Sequence, residues 1–93
     1  MKKSFTAELL SGHKSQQALE VPFDPAEEWQ IEPQPLWRGR RGFKVKARVK
    51  GVAFESSIVP RQKRFYLLID SEVVESTGLV NGSRIRATVE PAA

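Results

Sequence analysis

Apolar and polar residues alternate along much of the chain, and this pattern predicts a protein built mainly from β-strands. Every second residue is apolar in segments 4–9, 19–23, 43–50 and 84–90, as in strands with one buried face. The segment 65–69, FYLLI, is apolar throughout, which is typical of a strand buried on both faces. A chain of 93 residues has room for one modest core, so we expect a small barrel or sandwich.

The pattern of residues 43–58 predicts a hairpin with a two-residue turn at Lys50–Gly51, in which Gly51 supplies a positive φ. This turn places the apolar positions of one strand opposite those of the other, so the apolar face survives the pairing almost intact. On the other face a lysine meets a glutamate, so register and polarity agree. The predicted pairs are Val49–Val52, Ala47–Phe54, Val45–Ser56, Phe43–Ile58 and Lys46–Glu55.

Two short helices are predicted from their end signals. The first begins after the N-cap residue Asp24, with Pro25 at the first helical position. The second is capped by Asp70 or Ser71 and ends before Gly78, which suits the left-handed position that closes a helix. Each helix follows an apolar strand, and each has space for only one or two turns.

Three segments without a hydrophobic period are predicted to be turns or loops. Residues 11–16, SGHKSQ, form a polar turn, and residues 60–64, PRQKR, form a basic turn. Residues 31–42 form a loop insertion that is rich in proline and arginine. We expect this insertion to lie between the first helix and the basic strand.

The two helical segments also resemble each other in their context. Residues 19–29 and 67–79 each run from an apolar strand through an aspartate into a short acidic helix, and a basic-faced strand follows each of them. Two half-barrels related by a pseudo-twofold axis would explain this internal similarity.

Several short motifs carry a resemblance to a known family. They are VPFD at 21–24, Gly51, the Phe-x-x-Ser-x-x-Pro positions Phe54, Ser57 and Pro60, and the Gly-Leu-x-x-Gly positions Gly78, Leu79 and Gly82. With these motifs the chain is similar, from about residue 4 to residue 90, to the family catalogued as domain of unknown function 1905. In that family the turn before the FYLL-type strand is commonly glycine-rich, whereas this chain has Arg61 to Arg64 there.

The resemblance implies a mainly β fold: a small closed barrel of the double-split type, with about six strands and two short helices. Such a barrel is similar to those of AbrB-like transcription regulators and MazE-like antitoxins, with both halves on one chain. We therefore expect one domain over residues 1–93. The family has no established activity, so the resemblance leaves the function open.

The amino-acid composition argues against several classes of protein. The chain has no cysteine, which excludes a disulfide framework and thiolate metal sites. Its N-terminal residues do not form a signal-peptide core, and no apolar run approaches the length of a membrane span. We expect a cytoplasmic protein without a membrane partner, either a monomer or a small homo-oligomer.

Residues that could carry catalysis or bind a metal are few and badly spaced. His13 is the single histidine and lies in a polar turn. Glu27 and Glu28 are adjacent, so on a helix their side chains diverge and cannot share a task. Ser56 and Ser57 have no base nearby in the sequence. We therefore predict no enzymatic activity, no cofactor and no metal.

The charge of the chain is concentrated in its middle. Residues 38–64 hold ten Lys or Arg and one Glu, although the net charge of the whole chain is only +4. The hairpin register sends the 60–64 turn to the same end as Arg40 and Arg41, and Trp37 and Phe43 could offer stacking faces there. The predicted polyanion-binding residues are Arg38, Arg40, Arg41, Arg61, Lys63, Arg64, Lys44, Lys46 and Arg48.

Three functions remain open at this point. The basic surface can bind nucleic acid or another polyanion through its phosphates. Alternatively, the chain is a protein-interaction or regulatory module without nucleic acid, since sheet proteins also place Lys and Arg on solvated faces to discourage aggregation. The third possibility is a small-ligand or enzymatic role, which would require a polar pocket in the mouth of the barrel.

Overall fold

The computed structural model of the protein describes residues 2–11, 17–37 and 39–92. These residues form seven strands and two helices. In chain order the elements are β1 (Lys3–Ser11), β2 (Gln17–Val21), α1 (Pro25–Trp29), β3 (Gln34–Trp37), β4 (Arg40–Val49), β5 (Val52–Arg61), β6 (Arg64–Ile69), α2 (Ser71–Thr77) and β7 (Arg84–Pro91).

Six of the strands close into a barrel in the order β4-β5-β6-β2-β1-β7, and pairing between β7 and β4 completes the ring. All the pairings are antiparallel. The seventh strand, β3, lies outside the ring and pairs with the beginning of β4. The predicted fold class, a mainly β closed barrel of about six strands with two short helices, is confirmed.

The hairpin of β4 and β5 has the predicted register. All five predicted pairs are present, from Val49–Val52 at the turn to Phe43–Ile58. Lys50 and Gly51 have φ values of 49° and 79°, so both turn residues are left-handed, as the favoured two-residue hairpin turn requires. Local alternation and one glycine were therefore sufficient to predict this element.

The prediction of a loop over residues 31–42 was wrong in part, because Gln34–Trp37 forms β3 and β4 begins at Arg40. The strand has no alternation and contains Pro35, which lacks an amide hydrogen. It nevertheless pairs because it lies at the edge of the sheet, where one side needs no hydrogen bonds. The register shifts between Pro35 and Trp37, which is how the irregular sequence is accommodated.

The basic turn predicted at 60–64 is shorter than expected. β5 continues to Arg61 and β6 starts at Arg64, so the turn consists of Gln62 and Lys63 alone. Their φ values are 52° and 67°, a region that glycine adopts readily and side chains with a Cβ avoid. The turn therefore holds backbone strain at a position where the family resemblance predicts glycine.

The helices lie at opposite ends of the barrel, because α1 follows the end of β2 that pairs with Phe65 and α2 follows the end of β6 that pairs with Gln17. Asp24 caps α1, since its carboxylate accepts a hydrogen bond from the amide of Ala26 at 2.9 Å. Phe23 follows β2 and packs edge-on against Phe5 and Trp29, with ring centroids 6.3 and 5.6 Å apart. Within the described residues no helix has the length and apolar character needed to cross a membrane.

The interior of the barrel is filled by the inward-facing side chains of the strands. Within the described part of the chain no polar or charged side chain is buried. Charged groups therefore lie on the outer surface. The fully buried side chains that fill the centre are Leu9, Leu19, Val45, Val49, Ile58, Leu67, Ile69 and Val89.

The barrel pairings have a two-fold pattern that matches the internal similarity of the sequence. Exchanging β1, β2, α1 and β4 with β5, β6, α2 and β7 leaves the barrel pairings unchanged. The β1–β2 and β1–β7 pairs become the β5–β6 and β5–β4 pairs, while β2–β6 and β4–β7 map onto themselves. The basic-faced strands of the two halves, β4 and β7, are consequently neighbours.

Gly42→Ala should destabilise the protein by about 1–3 kcal/mol, because an added Cβ would overpack the strand. The new methyl group would lie 2.6 Å from the carbonyl oxygen of Ile58 and 2.8 Å from Cδ1 of Leu36. Urea denaturation measures the loss. In a Leu36→Ala background the backbone clash remains, so the cost should persist there. A neutral effect in both backgrounds would contradict the close approach of the strands.

Replacing the strained turn by Gln62→Asn with Lys63→Gly should stabilise the protein by about 1 kcal/mol, since Asn-Gly adopts left-handed angles with little strain. For a domain of this size, that gain corresponds to a rise in Tm of about 4–8 °C. Thermal denaturation followed by circular dichroism is the measurement. Lys50→Asn, which relieves one residue instead of two, should give a smaller rise. An unchanged Tm would show that the turn stores no strain.

Candidate nucleic-acid interface

The outer face of β4 carries the three predicted cations Lys44, Lys46 and Arg48, and all three side chains are exposed. They lie on one face because the alternate residues of β4 are committed to the core. Lys44 lies opposite Ser57 of β5, so no carboxylate is paired with it in that direction. This row of cations is where the sequence predicts it.

Lys46 has a different surrounding from the other two. It lies opposite Glu55 of β5 on one side and opposite Glu90 of β7 on the other. Two carboxylates therefore face this single ammonium group across the neighbouring strands, and they reduce the local positive potential. Arg48, by contrast, lies opposite Ala53 on one side and Thr88 on the other, neither of which carries charge.

A second group of cations lies at the open end of the β4–β5 hairpin, away from the Lys50–Gly51 turn. We call it the hairpin-base cluster, and in the described residues it consists of Arg40, Arg41, Arg61, Lys63 and Arg64. All five residues are exposed, and two of the arginines, at positions 61 and 64, lie directly opposite each other. Arg38, which was predicted to join them, lies outside the described residues, as does His13.

Two members of the hairpin-base cluster have partners. Arg41 donates a hydrogen bond to the carbonyl oxygen of Pro33 at 2.9 Å, which ties it to the chain before β3. Arg64 forms a salt bridge of 3.2 Å with Glu20 of β2. The β4–β5 ladder ends at the Phe43–Ile58 pair, and beyond it β4 pairs with β3 while β5 pairs with β6. The cations thus share one end of the hairpin but stand on strands with different partners.

The predicted stacking role of Phe43 is wrong. Its side chain is only 3% exposed and belongs to the core, where its ring lies 6.3 Å from that of Phe65. Alternation already assigned this residue to the apolar face, and the inward direction of that face excludes contact with a base. The side chain of Trp37 lies outside what the structure describes.

Sequence reasoning missed a third group of cations, at the other end of the hairpin. A groove of about 410 Å³ lies between the end of β4 and the beginning of β7. We call it the turn-end groove, and its residues are Arg48, Lys50, Gly51, Arg84, Ile85, Arg86 and Thr88. Alternation indicated that Arg84 and Arg86 face outward, but only the closure of the barrel places them beside β4.

Within the described residues, no group of three His, Cys, Asp or Glu side chains could hold a metal ion. The candidate surface consists instead of cations, with hydroxyl groups among them. Ser4 and Thr88 share a hydrogen bond of 2.9 Å on the outer face of β1 and β7. Lysine, arginine and hydroxyl side chains are all hydrogen-bond donors.

Comparison with known families assigns the chain. The family model described as "Domain of unknown function (DUF1905)" matches residues 5–89, nearly the whole chain. The chain belongs to the DUF1905 family. No curated protein matches it at a significant level. The matched range of this DUF1905 domain covers the barrel except for the first two residues of β1 and the last two of β7, so the resemblance seen in the sequence motifs is confirmed.

Removing the Arg64–Glu20 salt bridge of the DUF1905 domain should cost less than about 1 kcal/mol. The two side chains are 64% and 40% exposed, so water screens their attraction. Denaturation of Arg64→Gln, Glu20→Gln and the double variant gives the coupling energy. A coupling of 2 kcal/mol or more would show that the pair holds β2 and β6 together, and that Arg64 is not free to contact a ligand.

Proposed function

We propose that this DUF1905 domain binds nucleic acid or a similar polyanion through the outer face of β4 and the hairpin-base cluster. Contacts of this kind are made to phosphates, and they release counterions from the polyanion on binding. The ligand chemistry is therefore a chain of phosphodiester groups. The protein contributes cations on rigid strands, which hold their positions without the ligand.

The observation that carries the proposal is that the predicted cations are exposed and mostly unneutralised. All eight of them that the structure describes are exposed. Among the described residues, salt bridges within 4 Å occur in the pairs Lys3–Glu28 and Arg64–Glu20. Seven of the eight therefore have no carboxylate partner at that distance. A surface that used lysine and arginine only for solubility would be expected to intersperse both signs of charge.

The interior of the barrel is not suited to binding an anion. Its described side chains are apolar and packed, so the groups that can hold an anion lie outside. A basic surface on a small domain attracts polyanions over a distance set by the ionic strength, about 10 Å at 0.1 M salt. Binding should therefore depend strongly on salt.

Binding of a fluorescent mixed-sequence oligonucleotide should weaken steeply as salt is raised. If four phosphates are neutralised, log K should fall against log salt with a slope near −3.6 for duplex DNA. Fluorescence anisotropy between 50 and 200 mM salt is the measurement. An absence of binding to both DNA and RNA at low salt, or an affinity independent of salt, would contradict the proposal.

The matched variants replace Arg40, Arg41, Arg61 and Arg64 together. Changing all four to Glu turns the net charge from +4 to −4 and should abolish binding. Changing all four to Lys keeps the charge and should preserve the salt-dependent affinity. Oligonucleotide binding that survives the charge reversal would show that the hairpin-base cluster does not hold the polyanion.

A further inference from the structure

The turn-end groove differs from the rest of the basic surface in which elements of the fold carry its cations. Arg48 comes from β4, Lys50 from the hairpin turn, and Arg84 and Arg86 from β7. Four cations therefore approach one groove from two strands that are distant in sequence. The outer face of β4 alone, in contrast, presents a single row.

Barrel closure determines which of these cations are neighbours. β4 and β7 pair with Arg48 opposite Thr88 and Val49 opposite Ala87. The ladder ends at this pair, and Lys50 follows Val49 into the hairpin turn. Lys50 and Arg86 both line the groove, so closure brings cations of the turn and of β7 to one place.

The surroundings of the groove leave most of this charge uncompensated. Arg86 lies opposite Thr6 of β1, which is neutral, while Arg84 lies opposite Glu8. The described salt bridges include none of the four groove cations. The positive potential is therefore centred on Arg48, Lys50 and Arg86. Lys46, by contrast, has a glutamate opposite it on each neighbouring strand.

The groove also offers hydroxyl groups, and Ile85 is the one large apolar residue among the described residues that line it. Thr88 lines it, and Thr6 lies beside Arg86 on the same outer face. Hydroxyl groups next to guanidinium groups suit the oxygen atoms of a phosphate, since both donate hydrogen bonds to them. No aromatic side chain is among the groove residues that the structure describes. Contacts there concern the phosphate and not the base.

We propose that the turn-end groove is the principal phosphate-binding site of this domain. Arg48, Lys50 and Arg86 contact the phosphate oxygens, and Arg84 adds charge from the edge of the groove. This inference rests on the proposed function and moves its centre away from the hairpin-base cluster. The ligand is a phosphodiester or phosphomonoester group, from a nucleic-acid backbone or from a free nucleotide.

Two variants on one strand test the location of the site. Arg48→Gln and Lys46→Gln each remove one positive charge from an exposed position of β4, and they lie two residues apart. In the anisotropy assay, Arg48→Gln should reduce the steepness of the salt slope by about 0.9, and Arg48→Gln with Arg86→Gln by about 1.8. Lys46→Gln should reduce the slope by less than Arg48→Gln does, because Glu55 and Glu90 lie opposite Lys46 on the neighbouring strands and lower the positive potential there.

The results separate this inference from the proposed function. If the unmodified protein binds no oligonucleotide, both fail. If it binds but Lys46→Gln weakens binding as much as Arg48→Gln, the proposed function stands and the principal site is not the groove. Circular dichroism of each variant establishes that it is folded, which is expected because the substituted side chains are exposed.

Nuclear magnetic resonance distinguishes the source of the phosphate. ¹⁵N-labelled protein is titrated with inorganic phosphate, a nucleoside monophosphate and a short oligonucleotide. Amide shifts at Lys50, Gly51 and Arg86 with all three ligands support a site for any phosphate group. The same shifts with the oligonucleotide alone support a backbone site. Shifts confined to Arg40, Arg41 and residues 61–64 overturn the inference.

Discussion

The antiparallel pairing of β4 with β7 is the interaction on which the rest of the structure depends. It joins the first half of the chain to its last strand and turns an open sheet into a closed barrel. Closure removes the exposed edges that those two strands would otherwise present. It also seals the core, because Val45, Val49 and Val89, on the two joined strands, are completely buried.

The same pairing decides the distribution of charge. β4 contacts β5 along most of its length, but its other side is divided between β3 at the beginning and β7 at the end. At the beginning, the arginines of the hairpin-base cluster stand near the edge strand, and some of them have partners. At the end, the cations of β4 and β7 face one another across a groove. One strand thus supports two chemically different basic regions.

The local rules of sheet structure are broken at positions on this basic surface. Gln62 and Lys63 occupy left-handed backbone angles without a glycine, and so does Lys50 in the other hairpin turn. Elsewhere the chain mostly follows these rules, with alternating faces, a capped α1 and an apolar interior, although Gln30 after α1 is also left-handed. Local conflicts that a consistent fold retains are typical of functional sites, because a ligand can compensate for their cost. Three of the four described non-glycine residues with a positive φ, Lys50, Gln62 and Lys63, lie in the two turns of the proposed binding surface.

Strands and helices that depend only on neighbouring residues could be predicted from the sequence. Alternation with a turn glycine predicted the register of the β4–β5 hairpin, and aspartate and glycine end signals predicted both helices. The sequence did not predict β3, because Pro35 and the lack of alternation argue against a strand there. The strand forms because an edge of the sheet is available for pairing. The hydrophobic pattern assigned Phe43 to the apolar face of β4. Phe43 was still proposed as a stacking face, because the pattern does not show on which side of the strand the core lies.

The places where the charges meet depend on the closed barrel. Arg84 and Arg86 stand more than thirty residues after Arg48 in the sequence, and their outward direction says nothing about which strand lies beside them. The strand that lies beside β7 is determined when the apolar faces of all six barrel strands close around one core. Burial of apolar side chains involves the whole barrel, whereas periodicity and turn residues act over only a few positions.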